Sequence, residues 1–179
     1  MKVTIAILVL VTTLLPYTPI RAESSQPSVI KKTLACGGAE VIAESNYLNI
    51  SNRAEILCTK QTVTLINSKK DISKKLPLDG KLVKKRFVRQ GPVLDAVVVS
   101  WDCLKSKNGT PYILLWYQCN WGPGCEGSNR EWERIFDLDG KHLTAGFRKH
   151  DDLERLQGLY QKLGLSEEDI HFKSIIFDE

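Results

Sequence analysis

The most regular alternation of apolar and polar positions lies mid-chain. Val93 to Cys103, containing the run Ala96-Val97-Val98-Val99 and then Trp101, is followed by Lys105 to Pro111 and by Tyr112 to Asn120. Two β-branched and aromatic runs on either side of Asn108-Gly109 predict a β-hairpin, because that dipeptide tolerates the φ angles of a tight turn. One register puts Val97, Val99, Trp101 and Cys103 on the same face as Ile113, Leu115, Tyr117 and Cys119. Such a face is wholly apolar and is expected to be core.

Weaker signals flank it. Ala39 to Asn67 is rich in Val, Ile, Leu and Thr, with its best strand over Ile56 to Asn67. Asp79-Gly80 separates Leu76-Pro77-Leu78 from Leu82 to Gln90, which predicts a turn whose glycine takes positive φ. Glu131 to Leu138 reads as a strand that ends in Asp139-Gly140 and returns through Leu143 to Phe147. Near the C-terminus the period changes: Leu153, Leu156, Leu159, Tyr160 and Leu163 recur at helical spacing after Asp151-Asp152, with Gly164 placed to cap the end. Gly158 weakens this helix, so its apolar stripe must pack on a sheet. The fold class expected is mainly β (α+β): a single domain, an antiparallel sheet of hairpins with one C-terminal α-helix (151–163) packed on it.

The first residues follow another pattern. Met1-Lys2 precedes the uncharged, mostly apolar stretch Val3 to Leu15, then Pro16, Pro19, Arg21 and Ala22. That is the order of a secretory signal, and the stretch falls short of the roughly 20 residues that span a bilayer. Residues 1–22 are therefore expected to be removed, 23–35 to form a flexible mature N-terminus, and 36–179 to make one β-rich domain in a periplasmic or secreted protein without a stable membrane anchor. Leu34-Ala35-Cys36 resembles a lipid-attachment site, but Arg21, Glu23, Lys31 and Lys32 separate it from the apolar stretch.

Export turns the five cysteines into disulfide candidates. Their spacing contains no C-x-x-C zinc or redox pattern, and the sequence alone does not select a connectivity. The preferred set pairs Cys119 with Cys125 and Cys36 with Cys58, leaving Cys103 as a small buried hydrophobe in a strand.

Charge adds an asymmetry that the formal net of +4 conceals. Residues 31–107 carry net +8 and residues 108–179 net −5. Within the first half a basic patch includes Lys69, Lys70, Lys84, Lys85, Arg86 and Arg89. It suits either an acidic partner or a solvated edge whose lysines discourage strand pairing. All four tryptophans fall between Trp101 and Trp132. Trp121 lies in a Gly/Pro loop that a Cys119–Cys125 bridge would hold rigid, so Trp121, Gly122, Gly124, Glu126, Arg130 and Trp132 form the expected binding surface.

Catalytic signatures are sparse. Glu131, Glu133 and Asp137 share one face of a strand and could serve acid–base chemistry, although such faces are more often solvated. Asp137-x-Asp139-Gly140 resembles the opening of a calcium loop but lacks the later oxygen ligands, so no metal and no cofactor is expected. The function expected is that of a small exported non-catalytic binding protein, an immunity or inhibitor protein that occludes a cell-envelope-directed hydrolase or toxin. A carbohydrate or cell-wall-binding module is the alternative, and an exported hydrolase the second. The partner expected is a protein, with cell-wall glycan the other option and nucleic acid excluded.

Overall fold

The computed structural model describes residues 28–49, 56–84, 91–119, 130–147 and 152–176. Strands β1 (Ser28–Cys36), β2 (Ala39–Asn49), β3 (Ile56–Asn67) and β4 (Ile72–Lys75) form one antiparallel sheet in that order. A two-strand ribbon follows, β5 (Leu82–Val83) on β6 (Val93–Leu94). Strands β7 (Ala96–Lys105), β8 (Pro111–Cys119), β9 (Glu131–Phe136) and β10 (Lys173–Ser174) make a second antiparallel sheet, ordered β10-β7-β8-β9. Helix α1 (Leu153–Leu163) completes a mainly β, α+β fold. No helix among the described residues is long and apolar enough to cross a membrane.

The two sheets bury their apolar faces against each other. Leu34, Val41, Ala43, Val63 and Leu65 of the first meet Ala96, Val98, Trp101, Ile113, Leu115, Tyr117 and Phe136 of the second. Helix α1 covers the opposite face of the second sheet, where Leu104, Leu114 and Ile135 pack with Tyr160, Leu156, Leu159 and Leu163. The order is sheet, sheet, helix. The second sheet is buried on both faces, which explains why β8 reads as an almost continuous apolar run. Leu153, expected on the helical stripe, is 68% exposed, and the helix begins after Asp152 rather than at 151. Gly164 adopts the left-handed conformation at the helix end and donates to the carbonyls of Gln161 and Tyr160, as its position predicts.

Several expectations need correction. Residues 28–35 are not a flexible tail, because β1 begins at Ser28 and pairs with β2 through a two-residue turn, Gly37-Gly38, with φ of 58° and 86°. Positive φ at both positions matches the right-handed twist of the flanking strands. The hairpin around Asn108-Gly109 forms as expected, but a bulge between Val98 and Ser100 shifts its phase. Trp101 opposes Leu115 and Cys103 opposes Ile113, whereas Val98 and Ala96, not Val99 and Val97, complete the inner face. One unpaired residue reverses the facing of everything on one side of it. Gly80 closes no hairpin and has no positive φ. A Cβ there would sit 2.2 Å from the Ala96 carbonyl oxygen, so glycine permits a close backbone approach.

The cysteine pairing also differs. Cys36 is joined to Cys103, tying the end of β1 to β7 across the sandwich, and Cys58 is a free, buried thiol. Cys36 opposes Ala39 at the start of β2, and Cys58 opposes Tyr47 near its end. Eight residues of strand correspond to about 27 Å, far beyond the ~7 Å Cα separation a disulfide tolerates. Cys119 is disulfide-bonded as expected. Cys125, the one cysteine left, lies outside the described residues.

The bulge is held from the other sheet. Gln61 of β3, buried at the same facing as Val63 and Leu65, donates from Nε2 to the Val98 carbonyl (2.8 Å) and accepts from the Val98 N–H at Oε1 (2.7 Å). Its Nε2 also donates to Ser45 Oγ at 3.0 Å. The short β10 reaches only Trp101 and Ser100, so a side-chain amide takes the place of a strand beside Val98.

Candidate functional site

Strand β9 presents chemistry on both faces. Trp132, Arg134 and Phe136 point between the sheets, and Glu131, Glu133 and Ile135 point toward α1. On the inner side Asp79 Oδ2 accepts from Trp132 Nε1 and from Arg134 Nε, each at 2.8 Å. The Arg134 side chain is only 5% exposed, and its remaining nitrogens donate to the carbonyls of Glu133 (2.9 Å) and Phe147 (3.3 Å). Tyr117 stacks on Trp132 with ring centroids 5.2 Å apart. Burial raises the Tyr117 hydroxyl pKa, and the negative charge of Asp79 adds to that rise. These contacts neutralise a guanidinium at the sheet interface and make the cluster part of the frame.

On the outer side Trp116 and Glu133 are direct cross-strand neighbours. The Tyr160 hydroxyl of α1 donates to Glu133 Oε2 at 2.6 Å, and Phe172 packs edge-on against Trp116 at 4.7 Å. Burial raises the Glu133 carboxyl above its ordinary range and Glu167 adds to this, opposed by the Tyr160 hydrogen bond. Tyr160 is likewise raised, by burial first and then by Glu133. The next cross-strand pair on this face is Gln118 and Glu131, both exposed. The segment carrying Phe172 is anchored by Asp102, a buried carboxylate that accepts from the His171 N–H at Oδ2 (2.6 Å) and the Cys103 N–H at Oδ1 (2.7 Å).

The expected binding surface is therefore divided. Trp121, Gly122, Gly124 and Glu126 lie outside the described residues. Arg130 is exposed and its carbonyl accepts from the Cys119 N–H. Trp132 does not lie on the described surface: it is 5% exposed, stacked and hydrogen-bonded inside the sandwich. Of the basic patch, Lys69 and Lys84 are exposed, while Lys85, Arg86 and Arg89 lie outside the described residues. Lys70 is paired with Asp139, and neighbouring Lys74 donates to the Gly140 carbonyl. Part of the charge asymmetry between the two halves is thus spent within the molecule.

The acidic trio is separated by structure. Glu131 is exposed, Glu133 is bound by Tyr160, and Asp137 Oδ1 accepts from the N–H groups of Asp139 and Lys141 to form the turn that resembled a calcium loop. Among the described residues no group of three or more His, Cys, Asp or Glu is arranged to hold a metal ion. Asp79, Tyr160, Phe172 and Gln61 were not anticipated. Only Gln61 carried a sequence signal, a polar residue at the inward parity of an otherwise apolar strand face. Comparison with family models, curated proteins and solved structures returns no match for this chain.

Proposed function

We propose that this chain is a small exported, non-catalytic binding protein of the immunity or inhibitor kind, which occludes a cell-envelope-directed hydrolase or toxin. The observation that carries this reading is the structural employment of most carboxylates that acid–base chemistry would recruit, with Glu131 the exposed exception. Asp79 neutralises Arg134, Asp137 organises a turn, Asp102 anchors the C-terminal segment, and Glu133 accepts from Tyr160. The frame also favours recognition. A disulfide joins the two sheets, and Cys119 is covalently bonded where the chain enters residues 120–129, which carry Trp121. Side chains presented from a crosslinked base lose little conformational entropy on binding.

Oxidised protein immobilised on resin and exposed to envelope extract should retain one stoichiometric protein, whose activity the wild-type chain suppresses and Trp121→Ala does not. Retention of nothing under oxidising conditions, or equal suppression by Trp121→Ala, would refute the proposal. The contact of exposed Phe172 with half-buried Trp116 favours a second reading, a cell-wall glycan-binding module, because sugar rings stack on such surfaces. Co-sedimentation with purified peptidoglycan, accompanied by quenching of tryptophan fluorescence, would establish that reading in place of the first.

A further inference from the structure

The outer face of the second sheet, beside α1, gathers groups that the fold leaves partly unused. Phe172 is 39% exposed although it is a large aromatic, and it meets the ring of Trp116 edge-on. No described residue accepts from the Trp116 indole N–H. Glu133 opposes Trp116 across the ladder and uses one carboxyl oxygen to accept from Tyr160, leaving Oε1 without a donor among the described residues. Among the described residues no cation forms an ion pair with Glu131, Glu133 or Glu167. Arg134, next to Glu133 in sequence, points to the opposite face of β9 and is consumed by Asp79.

We propose that Trp116, Phe172 and Glu133 form the receiving site for an arginine or lysine side chain presented by the protein partner. The inference rests on the binding-protein reading above and names the partner's chemistry: a basic face. A sugar would use the ring surfaces and could donate hydroxyls to the carboxylates, but would leave their negative charge unbalanced. A guanidinium uses both, lying over an aromatic face while donating to a carboxylate oxygen. The uncompensated acids Glu131 and Glu167 add attraction around the site and disfavour an anionic partner.

The test follows the Trp116 indole N–H by two-dimensional NMR in the full-length oxidised protein. The probes are acetyl-Gly-Arg-Gly-amide, the same peptide with citrulline in place of arginine, and chitotriose. The arginine peptide should shift the Trp116 resonance saturably and the citrulline peptide should not. Glu133→Gln and Phe172→Ala should each weaken the apparent affinity about five-fold, in line with loss of one charge-assisted or cation–π contact. Glu133→Gln keeps an acceptor for Tyr160, and the unchanged remainder of its spectrum verifies the fold. No shift with arginine, an equal shift with citrulline, or a shift produced by chitotriose instead would overturn the inference. If envelope extract yields a partner that Glu133→Gln binds as tightly as wild type, this site is wrong and the inhibitor reading stands. If the arginine peptide binds here and no envelope protein is retained, the site stands and the inhibitor reading falls.

Discussion

Replacing Asp79 by alanine removes the shared acceptor of two buried donors. Arg134, 5% exposed, keeps its charge inside the sandwich with only carbonyl oxygens to satisfy it, and the Trp132 indole N–H loses its carboxylate. Removing one partner of a buried ion pair costs about 3–5 kcal/mol. Asp79 retains 21% side-chain exposure, which admits water and places the charge component near the lower bound. Depriving the indole adds about 1 kcal/mol, for a total near 4 kcal/mol against the roughly 5–15 kcal/mol that stabilises a domain. Urea unfolding monitored by tryptophan fluorescence, disulfides intact, should show the midpoint falling by about 2 M at unchanged slope. Asp79→Asn, which keeps the acceptor and loses the charge, should cost about half as much. In Asp79→Ala/Arg134→Met the charge that needed a partner is gone, so the pair should be less damaging than the sum of its members by about 2 kcal/mol. An alanine variant within about 0.5 kcal/mol of wild type, or strict additivity in the double variant, would show that the cluster does not neutralise Arg134 as described.

Four further outcomes follow from the same structure. Gly80→Ala places a methyl 2.2 Å from the Ala96 carbonyl oxygen, so thermal unfolding should report a loss of about 2–3 kcal/mol as backbone gives way. Cys36→Ser/Cys103→Ser opens a crosslink of sequence separation 67 and should cost about 4 kcal/mol in a denaturant titration. Burial pushes the Cys58 thiol up to about 11, so a disulfide-exchange reagent at mildly alkaline pH should modify it only as fast as the protein opens; burst labelling of native protein would contradict its placement. The raised Glu133 carboxyl means that above its ordinary value of 4.5 the native state holds a proton which the unfolded state has released. Stability should therefore fall as pH rises from there to the higher native value, and Glu133→Gln should flatten that part of the pH–stability curve.

What the sequence disclosed followed the reach of each signal. The Asn108-Gly109 hairpin, the helix ending at Gly164 and the antiparallel class rest on local periodicity and turn chemistry, and all three are present. The bulge was hidden because Ala96-Val97-Val98-Val99 has no polar alternation to mark a change of phase, and both faces of that stretch are buried. Leu78-Asp79-Gly80-Lys81-Leu82 and Leu138-Asp139-Gly140-Lys141 look alike, yet only the second closes a turn. The first sends its carboxylate to Trp132 and Arg134, more than 50 residues away. Trp132 looked like a binding residue because an amphipathic aromatic suits an interface and a hydrogen-bonded core equally well; its distant acceptor decides which. The outer site likewise depends on α1 packing over β8 and β9 and on the 171–174 segment returning beside β7 to set Phe172 against Trp116, an arrangement that residue spacing does not encode.

The cross-sheet bridge imposes a condition on maturation. Cys58 lies between Cys36 and Cys103 in the chain, so an oxidant acting as the polypeptide emerges from its N-terminus meets Cys36 and Cys58 first. Closing that shorter loop costs less entropy than closing the native one. The product would join opposite ends of the β1–β2–β3 meander and prevent its register from forming. Productive folding then requires either that the meander forms before oxidation, hiding Cys58 beneath Tyr47 and Val97, or that a thiol–disulfide isomerase undoes the early bond. Cys58→Ser removes the competitor, and its oxidative refolding without an isomerase should reach the native disulfide faster than that of the native sequence.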